Sequence, residues 1–262
     1  MPNSANRFFG NDAIKRILDI LISSLGLLAL APFLAYIAII IRRDSPGPVF
    51  YRGIRLGKGD KPFFILKFRT MREEAASYAG PPLTAQDDRR ITPLGKWLRD
   101  TKINELPQLW NVLKGEMSLV GPRPEDLGLA AAWPSDARTE VLSVRPGITS
   151  PASVLYRKEE ELLSTKTLMA TYLGDIMPSK LRLDQLYVRH RSLWVDLDVL
   201  FWTFIVVMPV LKHIKLLKKY LFRGPFSRLL RYYAIENQSE CDTLTAFEEQ
   251  IRGVRAELRQ NI

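Results

Sequence analysis

The chain has 262 residues, 47% hydrophobic and 25% charged, with a formal net charge of +10 and a pI near 9.7. That composition excludes a largely disordered chain, and the charge favours an anionic partner: nucleic acid, anionic lipid or a phosphorylated substrate. A single cysteine, Cys241, excludes an internal disulfide and a cysteine zinc cluster, and His190 and His213 are too few and too far apart for a histidine metal site.

The first element decides among those partners. From Ile20 to Ile41 there is no charge, and a straight helix of that length spans about 33 Å, close to the ~30 Å hydrocarbon core of a bilayer. Lys15 and Arg16 precede the run, and Arg42 and Arg43 follow it. A spanning helix concentrates its basic flank at one end, whereas this one is basic at both. Pro32, preceded by Gly26 and Ala31, removes a backbone donor and kinks a helix; Ser23 and Ser24 could bond a freed carbonyl in lipid. The pattern over residues 1–45 predicts a re-entrant helix-break-helix, broken at Pro32, that leaves both ends on the cytosolic side. A kinked spanning helix and a buried soluble helix are the competing readings. A cleaved signal peptide is disfavoured, because the run is too long and no small-residue cleavage site follows.

Residues 46–222 read as a cytosolic and interfacial α/β domain, mainly α. "VFYRGIRLGKGDKPFFILKFRTM" gives two β-prone runs around "GKGDK", a hairpin signal. "TPLGKWLRDT" predicts a short helix with Thr92 as N-cap and Pro93 at its first position. Leu106, Leu109, Trp110 and Leu113 lie at helical spacing, with Gly115 as the stop. Residues 125–143 read as helix interrupted near Pro134, "SVRPGITSPAS" as a loop, and 158–190 as holding at least one charged helix.

The uncharged run from Val199 to Leu211 is too short to span. Beyond it, Lys212, Lys215, Lys218 and Lys219 oppose Ile214 and Leu217, which suits a helix lying among the headgroups of an anionic leaflet; a core helix with a solvated end is the bland reading. In the tail, residues 223–262, Leu244, Phe247, Ile251, Val254 and Leu258 give about two heptads, enough for a small docking or coiled-coil helix.

Taken singly, the charged residues say little: a lone Arg or Lys is by default a solvated surface charge. Glu105 reads as an ordinary first-turn glutamate, Asn104 as an N-cap, and Trp110 and Trp194 as packing. Together they carry more. "KRILDILISSLGLLALAPFL", "FFILKFRTM", "DDRRITPLGKWLR", "NELPQLWNVLKGEMSLVGPRP", "VRPGIT" and "LWVDLDVL" resemble the bacterial sugar transferases, the monotopic phosphoglycosyl transferases, over roughly residues 12–212. The resemblance implies a re-entrant membrane helix carrying a small cytosolic α/β domain with interfacial helices at the bacterial inner membrane. It implies transfer of a sugar-1-phosphate from a nucleotide diphosphate sugar, usually a UDP-sugar, to polyprenyl phosphate, with Mg²⁺ required. That reaction initiates exopolysaccharide, capsule, O-antigen or glycoprotein glycan assembly. A homodimer is compatible with it.

The family's catalytic pair is Asp-Glu directly before Leu-Pro-Gln, the Asp attacking phosphorus and the Glu helping to hold the metal; here the pair is Asn104-Glu105. An amide oxygen is a far weaker nucleophile than a carboxylate, so the covalent route does not carry over to residue 104. Three routes remain: attack by Glu105 or another carboxylate (Glu116, Asp126, Asp196), direct attack by the lipid phosphate with Asn104 positioning it, or a catalytically impaired lipid-binding scaffold. Phosphoryl transfer depends on positioning and cationic stabilisation. Glu105 supplies a hard oxygen for Mg²⁺. Arg123, fixed between Pro122 and Pro124, offers a planar fork to phosphate, and Arg145, beside Pro146, looks similar. Lys67 and Arg69 should share one side of a strand. Asp196 should orient a basic residue or help the metal site. Nucleic-acid binding rests on net charge alone and is not expected.

Overall fold

A computed structural model describes residues 4–73, 83–84, 88–157 and 168–207. The predicted basic helix beyond Leu211 and the heptads of the tail lie outside the described residues. The chain opens with α1 (Ser4–Asp44), 41 residues long and, by length and composition, able to cross a membrane. Pro32 sits inside this helix and does not divide it, so the expected helix-break-helix is here one continuous helical element.

The predicted hairpin follows. β1 (Phe50–Leu56) and β2 (Pro62–Phe68) pair antiparallel, with Leu56 opposite Pro62 and Phe50 opposite Phe68. The turn between them uses Gly59 at φ 68° and Asp60 at φ 63°, left-handed positions suited to Gly and Asp. α2 (Pro93–Asp100) starts as predicted: the Thr92 hydroxyl accepts from the Gly95 amide at 2.9 Å. α3 (Gln108–Lys114) ends at Gly115, φ 85°, the left-handed stop expected there. The expected interruption near Pro134 separates α4 (Leu127–Ala130) from α5 (Ser135–Val141).

One expectation needs correction. The stretch "SVRPGITSPAS" is not only loop: it holds β4 (Gly147–Thr149) and opens α6 (Pro151–Leu155). β4 pairs in parallel with β3 (Ser118–Val120). The two strands approach so closely around Gly121 and Gly147 that a Cβ on Gly147 would lie 2.1 Å from the Gly121 nitrogen. Such an approach is invisible to turn-residue counting, which reads Gly and Pro as loop. Then come the short α7 (Leu168–Thr171), a π-helical turn over Tyr172–Ile176, α8 (Met177–His190) and α9 (Leu193–Val207).

The main core gathers Val120, Trp133, Val141, Tyr172, Leu183, Tyr187, Val199 and Trp202, joining α4 to α9 around the β3–β4 pair. α1 lies along this body. Its Gly26 faces Leu109 of α3, while Ile37 and Ile41 bury against Phe68 and Leu98. The opposite face of α1 stays bare: Leu25 and Leu28 are 67% and 76% exposed, too apolar for a face meant for water. α9 continues that apolar character through exposed Trp194, Leu197, Phe201 and Phe204. Trp110 and Trp194 are therefore exposed and do not pack in the core.

Candidate active site

The site grows from a 3-10 turn, Ile103–Glu105, placed between α2 and α3. The chain enters it through Lys102 at φ 58°, a costly conformation for a residue with a Cβ. Asn104 and Glu105 both end up buried. Asn104 is not the N-cap expected from sequence, because the turn inserts three residues before α3, whose N-cap is Pro107.

Two cations converge on Glu105. Lys67 Nζ, from β2, donates to Oε1 at 2.9 Å, and Arg123 Nη2 donates to the same oxygen at 2.8 Å. Arg123 Nη1 reaches Oε2 at 3.4 Å, a long contact that leaves that oxygen lightly held. Burial alone would raise the Glu105 pKa, but Arg123 and Lys67 outweigh it and hold the carboxylate well below the usual range. Burial is also the largest influence on Lys67, lowering its pKa to about 8 against the pull of Glu105, with Arg123 adding repulsion.

Asn111 fixes the distance between these partners. Its Oδ1 accepts from the Leu66 amide at 2.9 Å and its Nδ2 donates to the Phe64 carbonyl at 2.8 Å, so one side chain splices α3 onto β2 as a neighbouring strand would. Asp184, on α8, supports the Arg123 corner from behind: the Arg123 backbone N–H and the Ser150 hydroxyl lie beside its carboxylate. Burial is the dominant influence on Asp184 and raises its pKa to about 7, while Lys180 lowers it and Glu125 raises it further. Neither Asn111 nor Asp184 was singled out from sequence. The available signal was a polar residue on an inward helix position, as Asp184 is between buried Leu183 and Leu186.

The other predicted residues lie elsewhere. Arg69 falls just past the end of β2, so strand alternation does not place it beside Lys67. It is buried, and its guanidinium donates to the carbonyls of Ser45 and Pro46, each at 2.7 Å, and to Ser45 Oγ at 3.0 Å. It thus caps the C-terminal end of α1. Asp196 accepts from Lys15 Nζ and from Tyr187 Oη, each at 2.6 Å. The Lys15 bond ties α1 to α9. Arg145 donates from Nε to the Gly115 carbonyl at 2.9 Å, at the end of α3 remote from Glu105.

Among the described residues no cluster of three or more His, Cys, Asp or Glu side chains could hold a metal by itself. Two oxygens nevertheless suit a hard cation: Glu105 Oε2, whose contact with Arg123 is long, and Asn104 Oδ1, which is buried with no hydrogen-bond partner among the described residues. One carboxylate, one amide oxygen and phosphate oxygens from a substrate form a donor set of the kind Mg²⁺ accepts.

Known proteins bear on this arrangement. The family model for bacterial sugar transferases matches residues 10–209. An undecaprenyl-phosphate glucose phosphotransferase of Komagataeibacter xylinus is 38% identical over 72% of this chain, and the match covers 35% of that protein. A UDP-N-acetylgalactosamine-undecaprenyl-phosphate N-acetylgalactosaminephosphotransferase of Aeromonas hydrophila is 34% identical over 72% of this chain, covering 42% of its own. A UDP-glucose:undecaprenyl-phosphate glucose-1-phosphate transferase of Caulobacter vibrioides is 38% identical over 73% of this chain and 68% of its own. The chain thus spans well under half of the first two relatives.

Proposed function

The chain belongs to the bacterial sugar transferase family, and we propose that it moves a sugar-1-phosphate from a nucleotide diphosphate sugar, a UDP-sugar, to polyprenyl phosphate. The observation that carries this is Glu105 held between Lys67 and Arg123, next in the chain to Asn104, whose buried Oδ1 has no hydrogen-bond partner among the described residues. The reaction requires a pocket that gathers phosphate oxygens, and two cations around one metal-binding carboxylate meet that need. Bound Mg²⁺ would supply Lewis-acid stabilisation of the diphosphate. Glu105 and Asn104 would hold it, and Lys67 and Arg123 would turn from Glu105 toward substrate oxygens.

With an amide at 104, the route favoured is direct attack by the lipid phosphate. The phosphate oxygen forms a bond to the sugar-linked phosphorus, the diphosphate bridge breaks, and the nucleoside monophosphate leaves. In this reading α1 is re-entrant. Lys15 bonds the Val120 carbonyl at 3.0 Å and Ser45 bonds Arg69, so one body grips both ends of the helix. A spanning helix would put those ends on opposite sides of the bilayer. The bare face of α1 and the exposed aromatic residues of α9 would lie in the cytosolic leaflet of the inner membrane. The product would start exopolysaccharide or a related surface glycan.

The test is release of nucleoside monophosphate from a panel of radiolabelled nucleotide sugars in membranes supplied with polyprenyl phosphate. Glu105→Gln should lower release by about a hundredfold or more, as loss of a key electrostatic group does. No release from any nucleotide sugar would replace this reading with a lipid-binding scaffold.

A further inference from the structure

At the far end of α3 from Glu105 is a second basic feature. A small open cleft lies between residues 12–19 of α1, the hairpin turn and the segment before β4. Lys15, Arg16, Lys58, Arg145 and Arg191 line it. Two carboxylates, Asp12 and Asp19, also line it. Five cations against two anions leave a surplus of three, and of two once Asp196 behind Lys15 is included.

The pairing is uneven. Lys15 is committed to Asp196 and Arg191 to Asp12. Asp19 Oδ1 accepts from the Leu119 amide. Arg16 donates to the carbonyls of Val112 and Leu113, at 2.7 and 3.1 Å, and Arg145 to that of Gly115. Those bonds fix both guanidinium groups at the end of α3 without cancelling their charge. Lys58 is exposed and has no hydrogen-bond or ion-pair partner among the described residues. Arg16 and Arg145 are close enough that Arg145 lowers the Arg16 pKa, second only to burial. Asp19 acts the other way on Arg16 but only in part, since the net shift is downward, and an anion seated between the two guanidinium groups would relieve the repulsion that remains.

Position selects the kind of anion. The cleft opens where the apolar face of α1 begins: Ile14 and Ile17 are 49% and 57% exposed, one or two residues from Lys15 and Arg16. An anion reaching this cleft sits at the level where lipid chains would cover that face. Glu105 precedes α3 and the cleft lies at its C-terminal end, so α3, seven residues or about 10 Å long, separates the two centres.

We propose that Arg16, Lys58 and Arg145 form a second anion site, distinct from the Glu105 centre, that takes the phosphate of an anionic phospholipid headgroup. Its occupant pins the start of α1 to the leaflet and sets how deeply the bare face of α1 sits. The site rests on the membrane placement of α1 proposed above and not on the transfer reaction.

The experiment is native mass spectrometry of the full chain in neutral detergent, titrated with short-chain phosphatidylglycerol, short-chain phosphatidylcholine or inorganic phosphate. Wild type should retain one phosphatidylglycerol at concentrations where phosphatidylcholine is lost. Lys58→Glu should weaken retention by about fivefold or more, the factor expected per cation near an anionic lipid surface, and adding Arg145→Gln should weaken it further. Lys58 has no partner to lose among the described residues, so its variant stays informative if Arg145→Gln fails to fold. Glu105→Gln should lose transfer and keep the lipid, which separates failure of this site from failure of the transferase reading. Retention unchanged in Lys58→Glu, or equal for the two lipids, overturns the proposal. Displacement of the lipid by equimolar inorganic phosphate would assign the cleft to a free anion and overturn the lipid source.

Discussion

Replacing Glu105 by Gln should change the chemistry of Lys67 as well as remove a carboxylate. In the native site Lys67 has a pKa of about 8, because burial and Arg123 depress it while Glu105 at 2.9 Å holds it up. At pH 7 about one-tenth of Lys67 is then neutral. The lost attraction is roughly 4 kcal/mol for a charge pair near 4 Å at an effective dielectric constant of 20, equivalent to about three pKa units. The Lys67 pKa would fall further and the amine would be mostly neutral at pH 7, a rise in the reactive form of up to about tenfold. The assay is the rate at which a small amine-directed reagent modifies Lys67, read by peptide mass spectrometry at pH 7; its side chain is 19% exposed, enough for a small molecule. The expected result is a rise approaching tenfold in Glu105→Gln, with exposed Lys96 as an unchanged internal reference. An unchanged or slower rate at Lys67 would refute the claim that Glu105 keeps it charged.

Asp184→Asn should flatten the acid side of the stability profile. The folded carboxyl keeps its proton to about pH 7 and the unfolded one releases it near 3.8, so stability declines as pH rises between those values, by up to about 4 kcal/mol. Chemical denaturation in detergent at pH 4.5 and pH 8 should show that decline in wild type and not in the variant. Asn104→Asp should yield a phosphosugar adduct on the protein when it is incubated with nucleotide sugar and no lipid, while wild type yields none in intact mass spectrometry. An adduct on wild-type Glu105 would refute direct attack. Gly95→Ala places a Cβ 2.0 Å from the Thr70 carbonyl oxygen and should lower stability by about 1–3 kcal/mol, seen as a lower melting temperature.

Sequence made some of this legible, because some signals are local. The Thr92 cap, the Gly115 stop and the hairpin turn depend on residues within four positions of one another, and periodicity and turn chemistry reach that far. The β3–β4 pair was not legible, because two three-residue strands separated in sequence carry too little alternation to register. Lys67 and Arg69 show the same limit at the site. Strand alternation predicts a shared side, but β2 ends at Phe68 and Arg69 turns to α1 instead. Arg123 and Glu105 stood out through motif resemblance, and only the fold shows that they share an oxygen with Lys67.

The charge at the centre gives Asn104 a physical meaning. Glu105 faces Lys67 and Arg123, so this group of three carries one net positive charge; a carboxylate at 104 would bring it to neutrality. In the proposed reaction the incoming diphosphate is strongly anionic, and its attraction to a site with one extra positive charge is larger by a few kcal/mol at short range. Attraction shared equally by bound substrate and transition state lowers KM and leaves kcat alone. In the proposed reaction the amide would therefore trade a nucleophile for electrostatic hold on the donor. That exchange is useful only if the attacking oxygen comes from elsewhere, and a lipid phosphate delivered along the bare face of α1 is an anion that such a site would also attract. Asn104, the two cations and the membrane-facing helix are thus mutually consistent parts of a one-step transfer, whereas a covalent route would leave the unpartnered Asn104 Oδ1 without a role.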